Sequence, residues 1–176
     1  MPRYIAFLRG INVSGQKLIK MEVLKTYFQL PGFGNIVTYI QSGNVLFDTH
    51  DTDVNGLRSL IEKQLSAQLG YEVPVVLRNL DEMRVVIEKN PFMEQMDVPG
   101  KKLYVVFLSG VPDMGLHSSI DAYKNAQEEL IILGSEVFIL TDGIGNSKLT
   151  ITLFEKKLGH TATMRNWATV NKVVGL

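Results

Sequence analysis

Three short stretches of the chain hold residue types that bind or transform polar ligands. The first is composite: Arg9, Gly10, Asn12 and Ser14 in RGINVSG, and Gln41, Ser42, Gly43 and Asn44 in QSGN. Amide and hydroxyl side chains hydrogen-bond phosphate or carboxylate oxygens, and arginine neutralises them. Gly10, Gly15 and Gly43 let the backbone turn its N–H groups outward or let a ligand approach closely. Such a set suits an anion. The competing reading gives Gly43 and Asn44 the positive φ of a hairpin turn and makes Asn12 the cap of its own loop.

The second stretch, TDGIGNSKL at 141–149, has Gly143, Gly145, Ser147 and Lys148, the ingredients of a phosphate cradle. It matches neither the G-x-x-x-x-G-K-[ST] nor the G-x-G-x-x-G spacing, and a tight turn followed by a helix cap accounts for it more simply. In the third, TMRNWATVNK at 163–172, Arg165, Asn166 and Trp167 could hold a phosphate, read a base edge or carboxylate and offer a stacking face. Trp167 also stands at helical spacing to Val170 and Val174, which reads as core with Asn166 as the helix cap. Arg165 fits a core less well.

Several chemistries find no support. The chain has no cysteine, which removes disulfides, thiolate metal sites and cysteine nucleophiles. His50, His117 and His160 lie far apart in sequence with no metal-ligand spacing, so neither a metal nor a cofactor is expected. No G-x-S-x-G elbow occurs, and the carboxylates nearest the first stretch are Asp48 and Glu22, which leaves no evident general acid or base. Catalysis there would have to rest on positioning and positive charge.

The charge pattern agrees with an anionic guest. Net charge is zero, yet residues 1–25 and 145–176 together hold ten bases and two acids, leaving eight bases and sixteen acids between them. A basic surface drawn from both ends would favour a nucleotide, a phosphorylated metabolite or nucleic acid; solvated faces that merely cluster explain the same count. With 45% hydrophobic and 20% charged residues the composition is that of an ordinary globular protein, and 176 residues can bury roughly 70% of the unfolded surface. The opening apolar run is five residues long and no stretch approaches the ~20 of a membrane span, which predicts a cytoplasmic protein without membrane contact.

The positioning elements follow from periodicity and punctuation. A strand at RYIAFLR leads into the first polar loop, a helix follows over 20–30, and two strands, NIVTYIQ and NVLFDT, are joined by Ser42 and Gly43. A second helix over 56–70 carries Leu57, Ile61, Leu65 and Leu69 on one stripe, and VPVVLRN closes a βαββαβ unit over residues 1–80. Residues 81–100 supply a helix and a proline-containing connection. Residues 101–176 read as a second α+β half: a strand, a helical stretch over 113–125, a hairpin around Gly134 and Ser135, a helix from Asn146 or Ser147, and a short last helix from Asn166, with no visible sequence repetition between the halves. The fold expected is α+β, two ferredoxin-like (α/β plait) halves with antiparallel sheets. In that plait the loop after the first strand and the turn after the second leave at the same end of the sheet, so RGINVSG and QSGN should be neighbours.

LRGINV, TYIQSGNVLF, NPF at 90–92, GIGNSK and TMRNW, in that order along nearly the whole chain, resemble the bacterial family known as domain of unknown function 1697. The resemblance implies two ferredoxin-like halves and puts Arg9, Gly10, Asn12, Gln41, Ser42, Gly43, Asn44, Arg165, Asn166 and Trp167 at the family's recurring motif positions. It implies no particular activity. Ser14 stands where a second glycine is common in the family, and Ala168 where a larger polar residue is usual. The leading expectation is a protein that binds an anionic ligand, a nucleotide or nucleic-acid phosphate, at one end of the first sheet. A transferase or hydrolase of a phosphorylated small molecule, and a structural protein, monomer or homo-oligomer, whose polar motifs serve its own packing, are the alternatives.

Overall fold

The computed structural model describes residues 1–176, which divide into two compact units: Met1–Arg84 with Lys172–Leu176, and Val85–Asn171. The first unit contains β1 (Arg3–Leu8), α1 (Met21–Tyr27), β2 (Gly34–Tyr39), β3 (Asn44–Asp48), α2 (Val54–Leu69) and β4 (Val75–Asn79), and α3 (Leu80–Glu88) starts in it. Its sheet is antiparallel with the order β2-β3-β1-β4, the order of a ferredoxin-like plait. β1 is central because its apolar run serves both faces. Tyr4, Ala6 and Leu8 pack with Val45, Phe47, Val75 and Leu77 against Leu24 of α1, Phe28 at its C-terminal cap, and Leu57, Ile61 and Leu65 of α2. Alternating with them, Ile5, Phe7, Leu46 and Val76 are buried on the other face.

Local chemistry sets the ends of these elements. The carboxylate of Asp53 accepts from Asn55 N at the start of α2, which ends at Gly70 in the left-handed region (φ 76°). Asn79 and Glu82 cap α3 reciprocally: Glu82 N donates to Asn79 Oδ1 (2.8 Å) and Asn79 N donates to Glu82 Oε2 (2.7 Å). At the rim of the sheet Arg3 donates to Asp48 at 2.7 Å, and Asn35 Nδ2 also donates to Asp48 at 2.7 Å.

The second unit repeats the plan. β5 (Lys102–Leu108), β6 (Glu129–Leu133), β7 (Glu136–Thr141) and β8 (Ala162–Asn166) form an antiparallel sheet of order β6-β7-β5-β8, with α4 (Ile151–Leu158) and the start of α5 (Trp167–Val174). Val106, Leu108, Val137, Ile139 and Ala162 face Ile120, Leu149, Phe154 and Leu158. The α+β reading with two antiparallel four-stranded halves therefore holds.

Four local expectations need correction. No strand was expected before the last helix, yet residues 162–166 pair with β5 as β8. The helix expected from Asn146 or Ser147 starts at Ile151, capped by Thr150, whose hydroxyl accepts from Leu153 N; the β-branched Thr150 suits a cap, where its rotamer is free to bond the backbone. The β2–β3 connection is four residues, 40–43, not two, since Ile40 leaves the strand at φ 48°. Residues 114–123 form 3₁₀ turns rather than an α-helix, with Ser119 Oγ bonding Leu116 O and so competing with the α pattern.

The two units also echo each other in sequence, contrary to expectation. YIAFLRG (4–10) and YVVFLSG (104–110) are the central strands and their exits, and LRNL (77–80) and MRNW (164–167) end the last strand of each unit. The echo is short because only the most buried and the capping positions keep it.

Asp48 ties pH to stability. Burial raises the pKa of its carboxyl, but the hydrogen bonds from Asn35 and Arg3 outweigh that, so the pKa lies below its usual value of 3.8. The stability this contributes is fully present above the ordinary aspartate pKa and is lost as pH falls through the lowered one. Asp48→Asn should reduce stability at neutral pH by up to about 1 kcal/mol and flatten the acid limb of a urea-unfolding series across pH, whereas an unchanged acid limb would contradict the assignment.

Candidate functional site

Three connections leave the first sheet at one end. β1 finishes with Leu8 N donating to Gly43 O (2.9 Å) and Arg9 N donating to Pro74 O (2.9 Å), so the β1–α1 loop, the β2–β3 turn and the segment before β4 come together there. Asn12 binds two of them. Its Nδ2 donates to Ile19 O (3.1 Å) and to Gln41 O (2.8 Å), and Ile19 N donates to its Oδ1 (2.7 Å). Between these anchors Asn12 N donates to Lys17 O and Gln16 N to Val13 O. Ser14 (φ 50°) and Gly15 (φ 74°) form the turn of this small hairpin.

Gly43 is required twice over. Its φ is 80°, and a Cβ there would lie 2.6 Å from Ile11 Cδ1 and 3.0 Å from Leu8 Cβ. Its neighbour Asn44 is fully buried, with Nδ2 donating to Tyr39 O (2.9 Å) and to Ser42 Oγ (3.1 Å). The sequence-expected juxtaposition of Arg9, Gly10, Asn12, Gln41, Ser42, Gly43 and Asn44 is thus present, but the amides of Asn12 and Asn44 face inward. The groups turned to solvent are Gly10, Gln41, Ser42, Lys17 and Lys20, with Arg9 partly exposed. Lys17 and Lys20 are two of the bases that the charge pattern of residues 1–25 already marks out. The Lys17 ammonium stands 4.8 Å from the centre of the Tyr71 ring, which orients it.

In the second unit, Gly143–Lys148 and Arg165–Trp167 share the opposite end of their own sheet, where Thr141 and Asn166 flank the start of β5. Thr141 Oγ1 accepts from Gly143 N, Ser147 Oγ accepts from Leu149 N, and Lys101 pairs with Asp142 at 3.0 Å; Lys148, Gly143 and Gly145 are exposed. Asn166 Oδ1 accepts from Thr169 N (2.8 Å) as the cap of α5, and Trp167 is half-buried in its first turn. Arg165 is only 7% exposed, and burial brings its pKa down to about 10. Its Nη1 donates to Met164 O (2.9 Å). Arg78 occupies the same place in the first unit: 8% exposed, opposite Ile5 as Arg165 is opposite Val105, and donating to Leu77 O at 2.8 Å. The repeated Arg-Asn pair before a helix was the available signal for Arg78.

No group of three or more metal-ligating side chains comes together, and no helix is long and apolar enough to cross a membrane.

Removing Asn12 should open the loop. Asn12→Ala is expected to cost about 1–3 kcal/mol in urea unfolding and to speed proteolysis within residues 13–18; a loop as protected as before would contradict its role as the tie. Arg165→Ala should cost a similar amount, with Arg165→Met recovering part because the stem still packs. Equal losses in both would assign the whole effect to charge.

Among curated proteins, none matches the chain. A solved structure, that of the conserved bacterial protein SP0830 from Streptococcus pneumoniae, superposes with a TM-score of 0.74 at 21% identity, covering 99% of this chain and 97% of that one, and it shares the fold. The sequence profile described as protein of unknown function (DUF1697) matches residues 1–138, most of the chain and all of the composite loop end, so the chain belongs to that family.

Proposed function

We propose that the loop end of the first sheet binds a phosphate-bearing ligand, a nucleotide or the backbone of a nucleic acid. One observation carries the reading: Asn12 fixes two loops into a single platform whose residues 9–20 and 40–43 include Arg9, Lys17 and Lys20 and no acid. Ligand contact falls to these bases, to Gln41 and Ser42, and to backbone N–H groups around Gly10 and Gly15. Asn12, Gly43 and Asn44 hold the platform's shape.

Arginine and lysine act here as charge neutralisers, and without a placed carboxylate or histidine the arrangement favours holding a phosphate over cleaving one. Arg165 is buried and donates to the carbonyl of its neighbour in β8, and no side-chain amide ties the exposed Lys148 loop to a second loop as Asn12 does.

Calorimetric titration with nucleoside mono- and triphosphates, inorganic phosphate and short single-stranded DNA and RNA, at two salt concentrations, tests the reading. Binding should weaken with salt. Lys17→Ala, Lys20→Ala and Arg9→Ala should each raise the Kd roughly tenfold, the worth of a charge-assisted hydrogen bond, while the melting temperature of the two lysine variants stays near that of the parent. Affinity untouched by all three substitutions would remove the ligand from this end of the sheet.

A further inference from the structure

The terminal strand of the second sheet is built differently from its counterpart in the first. β2 and β6 occupy the same place in the two strand orders. In β2 the register slips between Gly34 and Val37, and Asn35 within the slip has φ 47°. A bulge of this kind twists an edge away from further pairing. β6 has no such guard. Its ladder with β7 runs without interruption from Glu129 opposite Leu140 to Leu133 opposite Glu136. Its sequence, ELIIL, has no proline, glycine or lysine, and Ile131 and Leu133 are 37% and 38% exposed.

The register also tells which backbone groups face outward. Gly134 (φ 60°) and Ser135 make a two-residue turn with glycine at its first central position, and such a turn closes on a hydrogen-bonded pair. Leu133, Ile131 and Glu129 therefore bond to β7. The N–H and C=O groups of Leu130 and Ile132 point away from the sheet, while their side chains pack into the core of the unit. Outward groups on a straight apolar edge call for another extended strand.

We propose that this strand is β6 of a second copy of the chain, paired antiparallel about a two-fold axis at Ile131. Under that axis Leu130 stands opposite Ile132 of the copy, so the outward groups of each meet and form four hydrogen bonds in two pairs. Ile131 meets its own copy across the axis, in the closer, non-hydrogen-bonded position where side chains touch. Glu129, the strand's one charge, falls opposite Leu133 and is kept from its own copy by the length of the strand. The strand is thus its own complement in hydrogen bonding and keeps its like charges apart, which an arbitrary peptide would match only in its backbone. The seam is short, so the dimer forms and dissociates with concentration rather than being permanent.

Sedimentation equilibrium of the full chain over a concentration series, with Ile131→Lys, Ile131→Glu and an equimolar mixture of the two, tests the pairing. The parent should dimerise. Each variant alone should associate at least about tenfold more weakly, because like charges face each other at the axis, and the mixture should recover dimer. Ile131 is exposed, so circular dichroism of the variants should match the parent. In the parent, amide exchange at Leu130 and Ile132 should slow as concentration rises, which decides the matter even if a variant fails to fold. A parent that stays monomeric, a dimer indifferent to Ile131→Lys, or a mixture of folded variants that stays monomeric overturns the proposal. So does a monomeric parent whose edge accepts an unrelated strand peptide.

Discussion

Leu8 N to Gly43 O and Arg9 N to Pro74 O, both 2.9 Å, are the last bonds on either side of β1, and the polar end of the first unit hangs from them. They bring the turn after β2 and the segment before β4 to the point where β1 stops. Gly43 is held against Leu8 and Ile11 by this closeness and can carry no side chain. Only because the turn arrives there can Asn12 reach Gln41 O while also bonding both polar atoms of Ile19. Without the two backbone bonds the loop and the turn would be separate, and their bases and amides would have no common geometry.

The second unit makes the same two bonds, Leu108 N to Ser135 O (2.9 Å) and Ser109 N to Thr161 O (2.8 Å), but hangs different chemistry on them. The stretch 9–20 holds three bases and no acid, whereas 109–120 holds Asp113 and no lysine or arginine. A shared frame with opposite charge at the exit of the central strand argues that the frame belongs to the fold and the basic loop to a role particular to the first unit. Arg78 and Arg165 argue the converse. They sit at matching places, similarly buried, each donating to the carbonyl of the preceding residue, which ties both to the frame.

Elements with unmixed patterns could be read directly. β1, β3 and α2 have apolar periodicity unbroken by charge, and the neighbourhood of the two polar loops followed from topology alone. β8 was hidden because Thr163 and Arg165, buried side chains on one face, look like surface residues in a sequence. The start of α4 was misplaced because Asn146, Ser147 and Thr150 all have cap chemistry, and tertiary packing of Leu149 and Phe154, not propensity, selects among them. Asn12 as the cap of its own loop was legible, but its second bond, across to Gln41 O of the β2–β3 turn, was illegible for a different reason. It depends on the left-handed backbone at Asn12 (φ 52°), which only the closed loop enforces.

That backbone points to what the loop end is for. Five non-glycine residues in the chain have positive φ, and Asn12, Ser14, Lys17 and Ile40 are four of them; the fifth, Asn35, is in the β2 bulge. Each costs about 1–2 kcal/mol against right-handed backbone, and a β-branched residue such as Ile40 sits at the expensive end. A connection that merely joined β1 to α1 and β2 to β3 could relieve this with glycine or a longer loop. Asparagine tolerates the conformation, but lysine and isoleucine have no such excuse. Strain gathered at one end of one sheet, kept in place by the Asn12 bonds and by Lys17 over Tyr71, is the expected mark of a surface whose shape matters more than its stability, and it is consistent with the proposal that this end binds a ligand.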